Sequence, residues 1–203
     1  MNSKYKNIVF DIGGVLFEWR PVEVMKNLKR IDKDIPHNIV DITRSQVWRD
    51  FDKGFATIED IAHTFSDSFR KQHIDMFIQA ALDSIIPMEH GLNLWYAAKK
   101  HNYKIFILSN LPFVIQKNIF ATYPFILEND GAIFSCDVGM IKPEKGIYDR
   151  LLQDFNLIPH ETIFIDDMEE NIHAAKEAGI HGILCDTHHN VTTTLKDLNI
   201  IHL

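Results

Sequence analysis

The chain has 203 residues, 46% of them apolar and 24% charged, which suits a globular protein with one main domain and room for a small subdomain. Its formal net charge of −7 argues against a nucleic-acid-binding surface, and no run of roughly 18 apolar residues indicates a membrane span. The two cysteines, Cys136 and Cys185, lack metal-site spacing, and no signal peptide is recognisable. We therefore expect a cytoplasmic protein with two reduced thiols.

The first predicted element is a buried strand at Ile8–Phe10, a short apolar run that ends near a pair of glycines. Asp11 would stand at the carboxyl end of this strand, where open α/β sheets bind their ligands. Gly13 and Gly14 would let the backbone approach a ligand or a metal closely. Taken alone, Asp11 is better explained as a turn-capping residue, so the choice depends on residues downstream.

The segment 17–86 contains no convincing strand and has the spacing of several short amphipathic helices. We expect it to form a small all-helical cap, inserted into an α/β core made of residues 1–16 and 87–203. One of its helices is predicted to begin with a capping box formed by Thr57 and Asp60.

The apolar side chains of the cap are expected to form its core rather than to bind a ligand. One stripe at helical spacing consists of Val22, Met25, Leu28 and Ile31. The aromatic residues assigned to the same core, with stacking on a sugar as the alternative, are Trp48, Phe51 and Phe55. The basic residues assigned to a solvated face are Arg44, Arg49 and Lys53.

Strands and helices alternate from Pro87 onward. The predicted strands are 104–108, 132–134, 162–165 and 182–185, and the predicted helices are 89–101, 112–122, a helix opened by Pro143, and 169–178. This βαβαβαβ order predicts a parallel, Rossmann-like sheet with helices on both faces, and therefore an α/β fold.

Polar residues stand after each of the first four predicted strands. They are Asp11, then Ser109 and Asn110, then Lys142, then Asp166 and Asp167. Because the carboxyl ends of parallel strands meet at one edge of a sheet, these residues should converge. Carboxylates hold a hard cation such as Mg²⁺, and a lysine helps to neutralise phosphate oxygens, so this set predicts phosphoryl chemistry. The simpler alternative for Lys142 is an exposed loop lysine.

Together these motifs resemble those of the haloacid dehalogenase-like (HAD) hydrolase superfamily, over essentially the whole chain. The four matching motifs are Asp11–Leu16, Ser109-Asn110, Lys142-Pro143, and Asp166-Asp167 with Asn171 and Gly179. The insertion after the first motif resembles the small helical cap of one subclass. Details such as Gly139-Met140 and Ile147-Tyr148 resemble the bacterial α-D-glucose-1-phosphate phosphatase group most closely.

The resemblance implies roles for the acidic residues. Asp11 would attack phosphorus and form an aspartyl-phosphate, which water then hydrolyses. Mg²⁺ would be held by Asp11, by the backbone carbonyl of Gly13 and by Asp167. Asp166 would orient water beside the metal without binding it directly.

The resemblance also implies a phosphate site and a substrate class. Ser109, Asn110 and Lys142 would bind the phosphoryl group, and Lys142 would also assist catalysis. The expected activity is Mg²⁺-dependent hydrolysis of a small phosphorylated metabolite, for instance a sugar phosphate such as glucose 1-phosphate.

Gly13 departs from the pattern, because the usual phosphatases of the superfamily have a second aspartate there as the general acid and base. Glu18 is a candidate for a partial substitute, although it could simply be an exposed partner of Arg20. Two alternatives follow, a 2-haloacid dehalogenase and a weakly catalytic protein that binds a phosphorylated ligand or a protein partner. The intact pair Asp166-Asp167 favours the phosphatase.

Overall fold

The structure is a computed structural model that describes residues 4–186 and 188–200, without the side chains of residues 188 and 189. Its five strands are β1 (Asn7–Phe10), β2 (Lys104–Ser109), β3 (Gly131–Phe134), β4 (Thr162–Asp166) and β5 (His181–Leu184). They form one sheet in the order β3-β2-β1-β4-β5, and every neighbouring pair is parallel. This confirms the predicted Rossmann-like α/β fold.

Five helices lie between β1 and β2 in the chain. They are α1 (Pro21–Ile31), α2 (Gln46–Asp52), α3 (Ile58–Thr64), α4 (Lys71–Asp83) and α5 (Glu89–Lys100), with a 3-10 helix at His37–Arg44. The later helices are α6 (Phe113–Thr122), α7 (Ser135–Val138), α8 (Lys145–Asp154), α9 (Glu169–Glu177) and α10 (His188–Asp197). Within the described part of the chain, no helix combines the length and apolar character needed to cross a membrane.

The central strands are apolar on both sides because both faces of the sheet are covered. Ile8 and Phe10 of β1 belong to the apolar cluster that includes Trp95 of α5. Val9, between them in sequence, belongs to the cluster on the other face with Tyr148 of α8. Since successive side chains of a strand point to opposite faces, this alternation shows that β1 lies between two helical layers.

A third apolar cluster lies among α1, α2, α3, α4 and the 3-10 helix, and it contains Trp48 and Phe51 as predicted. The segments that lead into and out of these helices run side by side: Glu18 N donates to Ile86 O at 2.9 Å, and Met88 N donates to Leu16 O at 2.9 Å. The division of the chain at residues 16 and 87 stays a prediction.

The capping box of α3 is confirmed, because Asp60 N donates to Thr57 Oγ1 at 3.2 Å and Thr57 N donates to Asp60 Oδ2 at 2.8 Å. The apolar stripe of α1 is only half right: Met25 and Leu28 are buried, but Val22 is 50% exposed and Ile31 is 78% exposed. A strict spacing of three drifts around a helix of 3.6 residues per turn, so its outer members leave the buried face.

Two assignments in the turn after α2 were wrong. Phe55 is 72% exposed rather than buried in the cap core, and its ring lies against Gly139. Lys53 is not on a purely solvated face, because its Nζ lies 2.7 Å from Glu144 Oε1. In both cases the partner is more than 80 residues away in sequence, where helical periodicity carries no information.

Candidate active site

Three elements bring the predicted catalytic residues together at the carboxyl edge of the sheet. Asp11 follows β1, and its backbone N–H extends the sheet by donating to Ile165 O at 3.0 Å. Asp166 is the last residue of β4, and Lys142 comes from the loop between α7 and α8. Parallel pairing of β1 and β4 therefore places both carboxylates at the same edge.

Lys142 lies between two of these carboxylates. Its Nζ is 2.8 Å from Asp11 Oδ1 and 2.6 Å from Asp166 Oδ2. Burial raises the pKa of Asp11; Lys142 opposes this shift and Asp166 adds to it. Burial alone would lower the pKa of Lys142, but the two carboxylates together raise it above its usual value. The lysine is therefore a fixed cation, and not the exposed loop residue of the simpler alternative.

Asp166 is fully buried, and both oxygens of its carboxylate accept hydrogen bonds. It accepts hydrogen bonds from Met168 N at 2.8 Å and from Asn171 Nδ2 at 2.9 Å, in addition to Lys142. Tyr148 donates to the backbone carbonyl of Asn171 at 3.0 Å, which ties the start of α9 to α8. Asn171 was part of a sequence motif, but its contact with Asp166 was not predicted.

Asp11, Asp166 and Asp167 form a carboxylate cluster, with one oxygen from each lying within 4.8 Å of the others. Asp167 is exposed as a residue, but its carboxyl is partly shielded from solvent by the site, and this desolvation together with the negative charge of Asp166 raises its pKa. The amide oxygen of Asn171, also in the site, is buried without a hydrogen-bond partner. A cluster of carboxylates in which the pKa values of Asp11 and Asp167 are raised, together with an unsatisfied buried oxygen, fits a hard divalent cation such as Mg²⁺.

Gly14 allows the loop after β1 to approach the carboxylate of Asp167 closely. It has a φ of +72°, and a side chain there would collide with the carboxylate of Asp167. Glycine has no Cβ and adopts this left-handed backbone conformation with little strain. Gly14 therefore allows the loop after β1 to lie directly against the residue that follows β4.

Ser109 and Asn110, the predicted phosphate-binding pair, both line the cavity at this edge. The Asn110 side chain also clamps the backbone of Lys142: Nδ2 donates to Lys142 O at 2.9 Å, and Oδ1 accepts from Lys142 N at 2.8 Å. Asn110 therefore positions Lys142, and one N–H of its amide remains for a phosphate oxygen.

Trp19 packs against the space that the side chain of a second aspartate at position 13 would need. A Cβ at Gly13 would lie 3.3 Å from Trp19 Cβ, which is already a tight contact. Trp19 in turn packs against Trp48 of α2, with ring centroids 6.3 Å apart. An aspartate at position 13 would therefore need space now taken by Trp19, whose ring connects the loop after β1 to α2.

The cavity has a volume of about 250 Å³. Its polar lining includes Asp11, Gly13, Glu18, Thr43, Asp52, Ser109, Asn110, Lys142, Asp167 and Asn171. Its apolar lining includes Phe17, Trp19, Trp48, Ile85, Leu111, Pro112, Ile115, Ile119 and Met168. The carboxylates and the lysine thus stand beside a largely apolar wall.

Asp52, the last residue of α2, was not predicted to be part of the site. Burial raises the pKa of its carboxyl to about 7. Its backbone carbonyl accepts a hydrogen bond from Ser135 Oγ at 2.6 Å, and the same hydroxyl accepts from Leu111 N at 2.9 Å. No sequence motif distinguishes Asp52 from the other acidic residues of the segment 17–86, so only its position in the structure identifies it.

A family model described as haloacid dehalogenase-like hydrolase matches residues 5–179. The chain belongs to the haloacid dehalogenase-like hydrolase family. Its relatives include the D-ribitol-5-phosphate phosphatase of Bacteroides thetaiotaomicron, 28% identical, with 86% of this chain and 88% of the relative covered. They also include the sesquiterpene phosphatase AstK of Aspergillus oryzae, 26% identical, with 90% and 91% covered.

Among solved structures, the chain is similar to a HAD family enzyme of Bacteroides thetaiotaomicron in complex with magnesium and inorganic phosphate. The TM-score is 0.68 at 24% identity, with 89% of this chain and 93% of the other covered. This similarity supports the fold. The predicted kinship with the narrower glucose-1-phosphate phosphatase group stays a prediction.

Proposed function

We propose that this HAD hydrolase is an Mg²⁺-dependent phosphatase that works through an aspartyl-phosphate on Asp11. The observation that carries the proposal is the buried ammonium of Lys142, 2.8 Å from Asp11 Oδ1 and 2.6 Å from Asp166 Oδ2. A fixed cation beside the nucleophilic carboxylate suits a substrate that brings negative charge to this point. The two phosphatase relatives support the same reaction class.

In this mechanism each residue of the site has a defined task. Asp11 attacks phosphorus, the bond to the leaving oxygen breaks, and water later attacks the same phosphorus to regenerate the carboxylate. Lys142 balances the charge of the phosphoryl oxygens. Ser109 and the remaining amide N–H of Asn110 donate to those oxygens, and Asn110 also holds the Lys142 backbone in place.

The residues proposed to hold Mg²⁺ are Asp11, Asp167 and the backbone carbonyl of Gly13. When bound, Mg²⁺ supplies positive charge to the phosphoryl group and relieves repulsion among the carboxylates. Asp166 is assigned an orienting role because its oxygens already accept from Lys142, Met168 and Asn171.

The proposed substrate is a small phosphomonoester, and two classes have support. A sugar phosphate such as glucose 1-phosphate is the class expected from the sequence, and one relative acts on a phosphorylated sugar alcohol by name. The apolar wall that includes Trp19, Trp48 and Ile115 favours a second class, the phosphate of an apolar alcohol. The segment 17–86, proposed to act as a cap, contributes Phe17, Trp19, Trp48 and Ile85 to that wall.

The deciding experiment is a panel assay with Mg²⁺ and with EDTA. It would include p-nitrophenyl phosphate, glucose 1-phosphate, glucose 6-phosphate, ribitol 5-phosphate, farnesyl phosphate and 2-chloropropionate. We expect EDTA-sensitive phosphate release and no chloride release. Chloride release that survives EDTA would instead support the dehalogenase. No turnover of any ester, together with phosphate binding, would support the weakly catalytic binding protein.

A further inference from the structure

The absence of an acid at position 13 limits where a proton for the leaving group can come from. In phosphoryl transfer the attacking and leaving oxygens stand roughly in line on opposite sides of phosphorus. Asp11 attacks from the end of β1, so the leaving oxygen points away from the sheet, toward α2 and the other helices of the cap. Trp19 occupies the space beside Gly13, so the acid must come from elsewhere in this half of the cavity.

Two acidic side chains of the cap segment line the cavity, Glu18 and Asp52. Glu18 lies 3.8 Å from the guanidinium of Arg20, and about a third of its side chain is exposed, so its carboxyl already has a cation beside it. The carboxyl of Asp52 has neither a salt bridge nor a side-chain hydrogen bond to any of the described residues. Its pKa of about 7 means that it holds a proton in a substantial fraction of molecules near neutral pH.

The last residue of α2 and the turn after it, residues 52–55, place Asp52 at the cavity wall. Ser135 Oγ donates to the Asp52 carbonyl at 2.6 Å, and Lys53 Nζ lies 2.7 Å from Glu144 Oε1. A Cβ at Gly54 would lie 2.8 Å from Cys136 O, so the backbone of the turn is in close contact with the core. These contacts attach the end of α2 to the segment between β3 and α8.

We propose that Asp52 is the general acid and base of this enzyme, supplied by the cap in place of the residue missing at position 13. The proposal rests on the phosphatase function proposed above. As the bond between phosphorus and the leaving oxygen breaks, the Asp52 carboxyl gives its proton to that oxygen, and the alcohol departs. The resulting carboxylate then takes a proton from the water that attacks the aspartyl-phosphate, so phosphate is released and Asp52 is protonated again.

The test compares two leaving groups in Asp52→Asn, an isosteric change that removes the transferable proton. A general acid supplies about 10²–10⁴-fold, but only where the leaving oxygen needs a proton. We expect kcat/KM, which reports the steps up to departure of the leaving group and not the later attack of water, to fall by about 10²-fold or more for an alkyl ester such as glycerol 2-phosphate and by less than about tenfold for p-nitrophenyl phosphate. Asp52→Glu should restore part of the alkyl-ester rate.

The ratio of the two rates is measured on one sample, so a partly unfolded variant lowers both and leaves the ratio unchanged. Asp50→Asn on the same helix is the matched control, because its side chain contacts Gln46 and does not line the cavity. An equal loss on both esters, or a change of ratio in Glu18→Gln instead, would overturn the role of Asp52 while the phosphatase stands. A wild-type enzyme inert toward both esters would overturn the proposed function itself.

Discussion

Lys142 Nζ and Asp166 Oδ2 are 2.6 Å apart and both side chains are buried, with no more than 1% of either exposed. Asp166 also accepts from Met168 N and Asn171 Nδ2, so its oxygens have their full set of donors. A carboxylate satisfied in this way orients its neighbours, whereas the exposed Asp167 beside it is available to a cation. The structure thus gives different environments to two adjacent aspartates that the sequence does not distinguish.

This difference predicts opposite effects for the two aspartates. Asp167→Ala should lose most of its Mg²⁺ affinity, measured by titration calorimetry, yet should unfold no more easily than the wild type without metal, since it removes a carboxylate whose pKa is raised. Asp166→Asn should lose less Mg²⁺ affinity but should unfold more easily, because it weakens the bond to Lys142. Greater loss of metal affinity in Asp166→Asn would reverse the assignment.

Lys142→Met should destabilise the metal-free protein by about 3–5 kcal/mol, because the buried carboxyl groups of Asp11 and Asp166 would lose the cation that they share. Urea unfolding at neutral pH measures this change. Lys53→Met is the matched control, since it removes a partly exposed ion pair with Glu144 and should cost about 1 kcal/mol or less. Equal losses in the two variants would mean that the buried pair contributes no more than the surface one.

Asp11→Asn should abolish turnover and leave the fold intact, because an amide of nearly the same shape is a poor nucleophile. Thermal unfolding should give a melting temperature within a few degrees of the wild type, since the substitution also removes a carboxylate whose pKa burial raises. Phosphate release at the wild-type rate would remove Asp11 from the mechanism.

Gly14→Ala should abolish Mg²⁺-dependent activity, because the added Cβ meets the carboxylate of Asp167. Gly179→Ala is the control, since Gly179 has a similar left-handed φ of +81° but its Cβ would face Pro159, away from the site. Both variants pay a backbone strain of about 1–2 kcal/mol, measurable by urea unfolding. Loss of activity in both to the same degree would show that strain, and not the contact with Asp167, is responsible.

The raised pKa of Asp52 predicts how stability depends on pH. Its value rises from 3.8 in the unfolded chain to about 7 in the folded protein. Between these values the folded protein keeps a proton that the unfolded chain releases, so the free energy of unfolding decreases as pH rises from 4 to 7.

Asp52→Asn lacks this titrating carboxyl. Its free energy of unfolding, measured with urea in the absence of metal, should therefore decrease less between about pH 4 and pH 8 than that of the wild type. Asp50→Asn should follow the wild-type dependence. Parallel curves for wild type and Asp52→Asn would mean that the Asp52 carboxyl is ionised in the folded protein.

Local sequence patterns predicted the elements of the core closely. The strand at 104–108 and the helix at 89–101 appear as Lys104–Ser109 and Glu89–Lys100. A short helix that was not predicted, α7, follows β3 and ends at Val138 before Gly139 adopts a φ of +68°. Within residues 17–86, the capping box of Thr57 and Asp60 was predicted correctly because it is a contact over three residues. Val22 and Ile31 were misplaced because three-residue spacing does not follow the helical period.

Spacing along the chain was enough to predict the order of strands and helices, the family, and the set of polar residues at the strand ends. The folded arrangement was needed to show that Lys142 bridges Asp11 and Asp166, that Asn110 hydrogen-bonds the Lys142 backbone, and that Trp19 packs beside Gly13. Asp52 enters the site in the same way, through a turn held by residues more than 80 positions away. Burial and contacts between distant segments create these relationships, and no local pattern encodes them.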